Sequence, residues 1–275
     1  MSKAEKSSAS AGSPGAFSGA ALMLPSAAGF FFAAQSALGI AFPGTVYPTS
    51  DLYNAFLPND YVNLFFGVPV LIVSLVLALR KSPLGLIGVC SSLLFILYNS
   101  AAYLFALSNP YGLALSAIVT ALCAAALIPC AVSLRKAWQA AKPAGIRRPK
   151  LSGGILTAMG LVFVGRALAS IAEGGSAADV GVNAADAILC SLWVISGFLL
   201  LAKKPNGVRI AAAAVCVLHG SLLFAALILF MLLQPLLCTA AFAAADLLAI
   251  TLMGLVMIVP CVLLLRGIAG GTGKR

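Results

Sequence analysis

The chain has 275 residues, 62% of them hydrophobic and 9% charged, with a mean hydropathy of +1.08. A soluble domain needs far more charge to cover its surface, so that class is excluded. The net charge of +10 invites a nucleic-acid partner, but the cations sit in short segments between apolar runs, which is the signature of membrane topology. Those runs exceed the ~18 residues that mark a span, and the short alternating segments of a β-barrel are absent. The expected class is all-α: a polytopic transmembrane helical bundle.

Residues 1–16 are rich in Ser, Ala and Gly, carry Lys3 and Lys6, and read as a disordered cytoplasmic tail. The apolar run 17–41 is too long for a signal-peptide core and reads as an uncleaved first helix, with Pro25 near its start. A second span is expected over 60–79, ending at Arg80-Lys81, and a third over 83–107, opened by the cap and first-turn proline Ser82-Pro83. The fourth covers 111–134 and leads into the basic stretch Arg135 to Lys150; the fifth covers 151–172. The sixth covers 183–202 before Lys203-Lys204, the seventh 208–233, and the eighth 244–265, stopping at Arg266. The transmembrane domain thus runs over 17–266, followed by a basic tail, 267–275.

With both termini inside, sixteen of the seventeen basic residues fall in cytoplasmic segments and none in the alternate loops. Six of the seven acids, Asp51, Asp60, Glu173, Asp179, Asp186 and Asp246, lie at or near those alternate loops. Lys and Arg placement sets orientation, so the expected topology is eight helices, N-in and C-in, in a bacterial-type inner membrane. A weak repeat suggests two parallel four-helix halves, about 17–134 and 151–266. Asn63 precedes Arg80-Lys81 by the same distances as Asp186 precedes Lys203-Lys204, and Pro83 and Gly85 match Pro205 and Gly207 after a one-residue slip.

The polar residues within spans crowd the outer half: Gln35, Asn63, Tyr98, Asn99, Arg166, Asp186 and Asp246. All six tyrosines lie outside or toward that face. One reading is a polar pocket open to the outer face; the other is an interfacial aromatic belt with helix caps. Arg166 is the one basic residue placed inside a span. A mid-membrane arginine costs on the order of 2.5–3.5 kcal/mol on insertion scales and is expected to pair or to line a wet cavity. Asp186 is the expected partner and Asp246 the alternative. As a site, Arg166 would anchor a carboxylate or phosphate; as structure, it snorkels or forms an ion pair. Helix dipoles offer a structural reason for the acids, since Asp60, Asp186 and Asp246 fall near expected outward N-termini, where a carboxylate gains ~0.3–1 kcal/mol. Asp60 reads as a cap.

His219, the only histidine, is expected near mid-membrane, satisfied by a helix–helix hydrogen bond or acting as a proton relay. The seven cysteines are scattered singly inside apolar runs, where cysteine behaves as a small hydrophobe; a Cys190–Cys238 disulfide is open, both residues falling near the outer face. One histidine and no clustered thiols argue against a transition-metal site. Catalytic motifs are absent, and the Gly-rich tail 270–275 lacks the spacing of a phosphate loop. No cofactor is expected.

The segment Asn59-Asp60-Tyr61-Val62-Asn63-Leu64, followed by Gly67 and Pro69, Arg80-Lys81, Pro83-Leu84-Gly85 and Leu97-Tyr98-Asn99, resembles a group of uncharacterised prokaryotic multi-pass membrane proteins. Those share an Asp-Leu-Val-Asn-Leu opening, a Gly-x-Pro in the same helix and a Leu-Tyr-Asn in the next. The resemblance covers about residues 59–107 and implies membrane helices but no activity.

The leading expectation is binding or transport of a small anionic or amphipathic solute in an outward-facing pocket. Its candidate ligand-binding residues are Asn63, Tyr98, Asn99, Arg166, Asp186 and Asp246, and its partners are membrane lipids and that solute. An enzyme acting on a lipid head group is the second reading, with Asp186 or Asp246 as base and Arg166 as anion clamp. A non-catalytic accessory subunit or sensor is the third.

Overall fold

The structure is a computed structural model that describes residues 20–107, 109–139, 148–202, 206–238 and 242–272. The tail 1–16 and Lys203-Lys204-Pro205 lie outside the described residues. Among those described there is no strand, and eight helical spans are long and apolar enough to cross a membrane. The first is α1 (Ala20–Ala41); a short α2 (Pro43–Val46) follows. The second span is compound: α3 (Ser50–Val62), a π turn (Asn63–Gly67) and α4 (Val68–Leu79). Then come α5 (Pro83–Ala106), α6 (Pro110–Gln139), α7 (Pro149–Glu173), α8 (Ala177–Ala202), α9 (Gly207–Leu237) and α10 (Ala244–Thr272). The helix α10 extends past Arg266 into what the sequence suggested was tail.

Local signals set the helix starts. The Ser82 side chain accepts from the Leu84 N–H, with Pro83 just inside α5. The Asn206 side chain caps α9 through the Arg209 N–H. At α8, Ser176 Oγ accepts from the Asp179 N–H while the Asp179 carboxylate takes the Ser176 N–H, a reciprocal capping box. The second span begins ten residues before the expected position 60. Thr49 caps α3 by accepting from the Leu52 N–H, and Asp51 occupies its first turn. Hydropathy missed this segment because Asp51, Asn54 and Asn59 dilute it. Pro58 does not break the helix. Its missing N–H frees the Asn54 carbonyl, which accepts from Gln234 Nε2 of α9 at 3.3 Å.

The spans pack as two copies of one arrangement. In the first half α1 packs on the second span, α5 and α6; the second span packs on α5, and α5 on α6. In the second half α7 packs on α8, α9 and α10; α8 packs on α9, and α9 on α10. Between halves, α5 meets α9 and α3 meets α8. The contact of the second span with α9 is mirrored by α5 with α8, and that of α6 with α9 by α5 with α10. Stepping four spans along the chain therefore carries every such contact into another. The same pairs of spans thus touch in each half.

Small residues and polar links hold the bundle, as expected where lipid is as apolar as the interior. A Cβ on Gly153 of α7 would stand 2.8 Å from the Gly197 carbonyl of α8, and one on Gly197 would stand 2.6 Å from the Gly153 carbonyl. The most enclosed span, α5, bonds to α9 through Ser91 Oγ and the Val215 carbonyl at 3.0 Å.

Candidate functional site

A cavity of about 500 Å³ opens in the second half, within the range of small-molecule sites. Its walls come from α7, α8, α9 and α10, with α3 and α5 behind. It lies toward the acidic end of the bundle, where the odd-numbered connections sit. Tyr98, Asn99, Arg166, Asp186 and Asp246 all line it. Five of the six residues singled out from sequence are thus brought together, although they come from four helices. Asn63 is not among them: it lies buried at the start of the π turn, its amide without a hydrogen-bond partner.

Arg166 of α7 forms an ion pair with Asp186 of α8 rather than with Asp246. The Asp186 side chain is 4% exposed and that of Arg166 55%. One guanidinium nitrogen meets the carboxylate, so the pair is not bidentate, and Arg166 is among the residues that line the cavity. The cation also lies over the Phe163 ring, 5.7 Å from its centroid. Asp186 stands nine residues into α8, so a first-turn dipole does not account for it; the Arg166 cation does. Asp246 does lie in the first turn of α10 and is exposed at the cavity rim. The Asn99 carbonyl oxygen accepts from Asn59 Nδ2 at 2.9 Å, and its amide donates to the Phe95 carbonyl.

The sequence suggested a polar pocket, but most of the wall is apolar. Phe163 sits edge-on to Trp193 (6.1 Å between centroids) and to Phe224 (5.5 Å). Phe230 and Phe242 pair at the rim end, and Leu223 and Met253 complete the deep end. These residues carry no signal in the sequence, because membrane helices are apolar whether they face lipid, core or cavity. Gly67 has a traceable role here, since a Cβ would stand 2.5 Å from Cε1 of the lining residue Phe95.

Trp193 donates its indole N–H to His219 Nδ1 at 3.1 Å, so the histidine makes the helix–helix hydrogen bond anticipated for it. Gly220 and Met257 pack beside this pair, and below it lie the buried Ala211, Ala213 and Ala214 of α9. Cys190 lines the cavity while Cys238 ends α9; both are unbridged thiols and the suggested disulfide does not form.

The first half carries a different constellation. Asp60, read from sequence as a cap, lies ten residues inside its helix and is fully buried. Its Oδ2 accepts from the Tyr47 hydroxyl at 2.5 Å and its Oδ1 from the Tyr103 hydroxyl at 2.8 Å. Tyr47 and Tyr103 are therefore interior residues and not members of an aromatic belt, unlike Tyr111, which is 86% exposed. Tyr47 lies in the connection between the first two spans. Burial, and then the Asp60 charge, push its phenol well above the usual range, so it stays a donor.

No family model, curated protein or solved structure matches this chain.

Proposed function

We propose that this multi-pass membrane protein binds an amphipathic small molecule with an acidic head, its apolar body held in the second-half cavity. The observation that carries this reading is the pairing of a largely apolar chamber with an arginine that is only partly used by its carboxylate partner. A free anion in water would find few partners on the aromatic wall. An uncharged apolar molecule would leave the Arg166 fork unanswered. The filled region beneath Trp193 and His219 favours binding over conduction through the bundle. By the distribution of Lys and Arg, the cavity end faces outward and both termini face the cytoplasm. The resemblance of residues 59–107 to uncharacterised multi-pass proteins adds the membrane class and no activity.

The chain has two tryptophans, Trp138 and Trp193, and only Trp193 lines the cavity. In a Trp138→Phe background, a medium-chain alkyl carboxylate brominated on its chain should quench the remaining fluorescence saturably. Arg166→Ala should weaken that binding about tenfold or more, the worth of a charge-assisted hydrogen bond. Equal affinity for the matching alkyl alcohol would remove the acidic head from the proposal, and absence of saturable quenching would remove the site. A double-mutant cycle with Asp186→Ala, read by thermal stability, separates structure from binding. Strong coupling with unchanged quenching makes the pair structural only.

A further inference from the structure

We propose that the first half holds a monovalent hard cation, of the sodium class, beside the buried Asp60 carboxylate. This site lies in the other four-helix half, and Asn59, which lines the cavity, donates to the Tyr103 hydroxyl that reaches Asp60.

The buried charge comes first. Asp60 is fully buried, and both of its oxygens accept hydrogen bonds from tyrosine hydroxyls, the pattern of an acceptor-only carboxylate. Arg166, the basic residue inside a span, is taken by Asp186 and not by Asp60. An uncompensated carboxylate in an apolar interior is strongly disfavoured.

Unpartnered polar atoms lie on the two helices that meet at Asp60. Eight buried side-chain polar atoms of the described residues lack a partner, and four of them belong to Gln35, Ser36 and Asn63. All three residues are more than nine-tenths buried. Gly39 of α1 is pressed against Asp60, and Gly29 against Leu71. In that antiparallel register, one turn deeper than Gly39 and Asp60, Ser36 lies level with Asn63. Gln35 donates its amide to Ser116 of α6 at 3.1 Å, which leaves its carbonyl oxygen unused. Between Gly29 and Gly39 run ten residues of α1, against eleven of the second span from Leu71 to Asp60. The π turn beginning at Asn63 takes up the extra residue, and such turns recur at functional sites.

The donor set fixes the ion class. One carboxylate with neutral amide and hydroxyl oxygens suits a hard cation. A single positive charge balances it, whereas a divalent ion would leave net charge in the apolar interior. Asp60, Ser36 Oγ and the side-chain oxygens of Asn63 and Gln35 are the ligands, and the Asn63 amide nitrogen is left to donate to a bound water.

The test is the thermal midpoint of the purified full chain in sodium, potassium or choline chloride at constant ionic strength. Sodium should raise Tm saturably, by roughly 5–10 °C at a hundredfold excess over its dissociation constant. Asp60→Asn should abolish the sodium response. Ser36→Ala and Asn63→Ala, which keep the carboxylate, should each weaken apparent sodium affinity about tenfold and serve if Asp60→Asn does not fold. Arg166→Ala should leave the response intact. Equal midpoints in sodium and choline overturn the proposal and assign the buried charge to a proton, and an unchanged sodium response in Ser36→Ala and Asn63→Ala overturns the ligand set.

Discussion

The two halves share one packing scheme and differ in what fills it. A step of 123 residues takes Asp60 to Asn183 and Asn63 to Asp186. Asp60 faces Gly39 of α1, while Asn183 donates to Ser170 of α7 at 2.8 Å. One turn deeper, Asn63 is level with Ser36 of α1, where the second half has the Asp186–Arg166 pair. The same position is thus neutral and sealed in one half, charged and open in the other. The connections explain part of this. Residues 42–49 include α2 and send Tyr47 into the first half, tethered by Asn109 Nδ2 on the Val46 carbonyl at 2.9 Å. The matching connection in the second half is only Gly174–Ser176 and has nothing to insert. A duplicated scaffold can therefore hold a filled half and a hollow one without changing which helices touch.

Glycine substitutions should break this contrast most sharply. A Cβ at Gly39 would stand 2.6 Å from the Tyr47 hydroxyl and 2.8 Å from Asp60 Cγ, whereas one at Gly165 of α7 meets nothing within 4 Å. Gly39→Val should cost about 3 kcal/mol or more, lowering the thermal midpoint by roughly 10 °C. Gly165→Val should stay within about 0.5 kcal/mol. Similar losses at both positions would show that Gly39 is no more tightly enclosed than the exposed Gly165.

A smaller effect is expected at the buried carboxylate. Tyr103→Phe removes one of its two hydroxyl donors and should destabilise by about 1–3 kcal/mol, the penalty for stranding a buried acceptor. A neutral result in chemical or thermal unfolding would show that Asp60 does not depend on that donor.

Overpacking gives the finest comparison. Ala126 of α6 is fully buried, and Ala126→Phe should cost about 1–3 kcal/mol. Ala249→Phe projects into the cavity wall and should leave stability within about 0.5 kcal/mol. It should nevertheless abolish quenching of Trp193 by the brominated carboxylate. Retained quenching would place the probe elsewhere.

Much of the fold was legible in the chain because membrane insertion depends on local composition. Apolar length gives the spans, and Lys and Arg placement gives their alternation. The resulting depth scale put Tyr98, Asn99, Arg166, Asp186 and Asp246 in one layer, and that layer contains the cavity. Lateral position was not legible. Asn63 shares the depth but is buried at the π turn of the second span, outside the cavity lining, and Tyr47 and Tyr103 share the composition of an interfacial belt yet are buried. The start of the second span was misplaced because its polar residues, needed inside the bundle, lowered the hydropathy that marks a span.

By itself, then, the sequence determined the class, the eight apolar spans and the common layer of the polar groups that line the cavity, since each follows from the cost of moving a short segment into lipid. Only the tertiary structure decided which carboxylate Arg166 takes, that Asp60 is enclosed by two tyrosines, and that one half is hollow. Those outcomes depend on how helices distant in the chain meet side by side, and an apolar helix face reads the same whether it meets lipid, a neighbouring helix or a cavity.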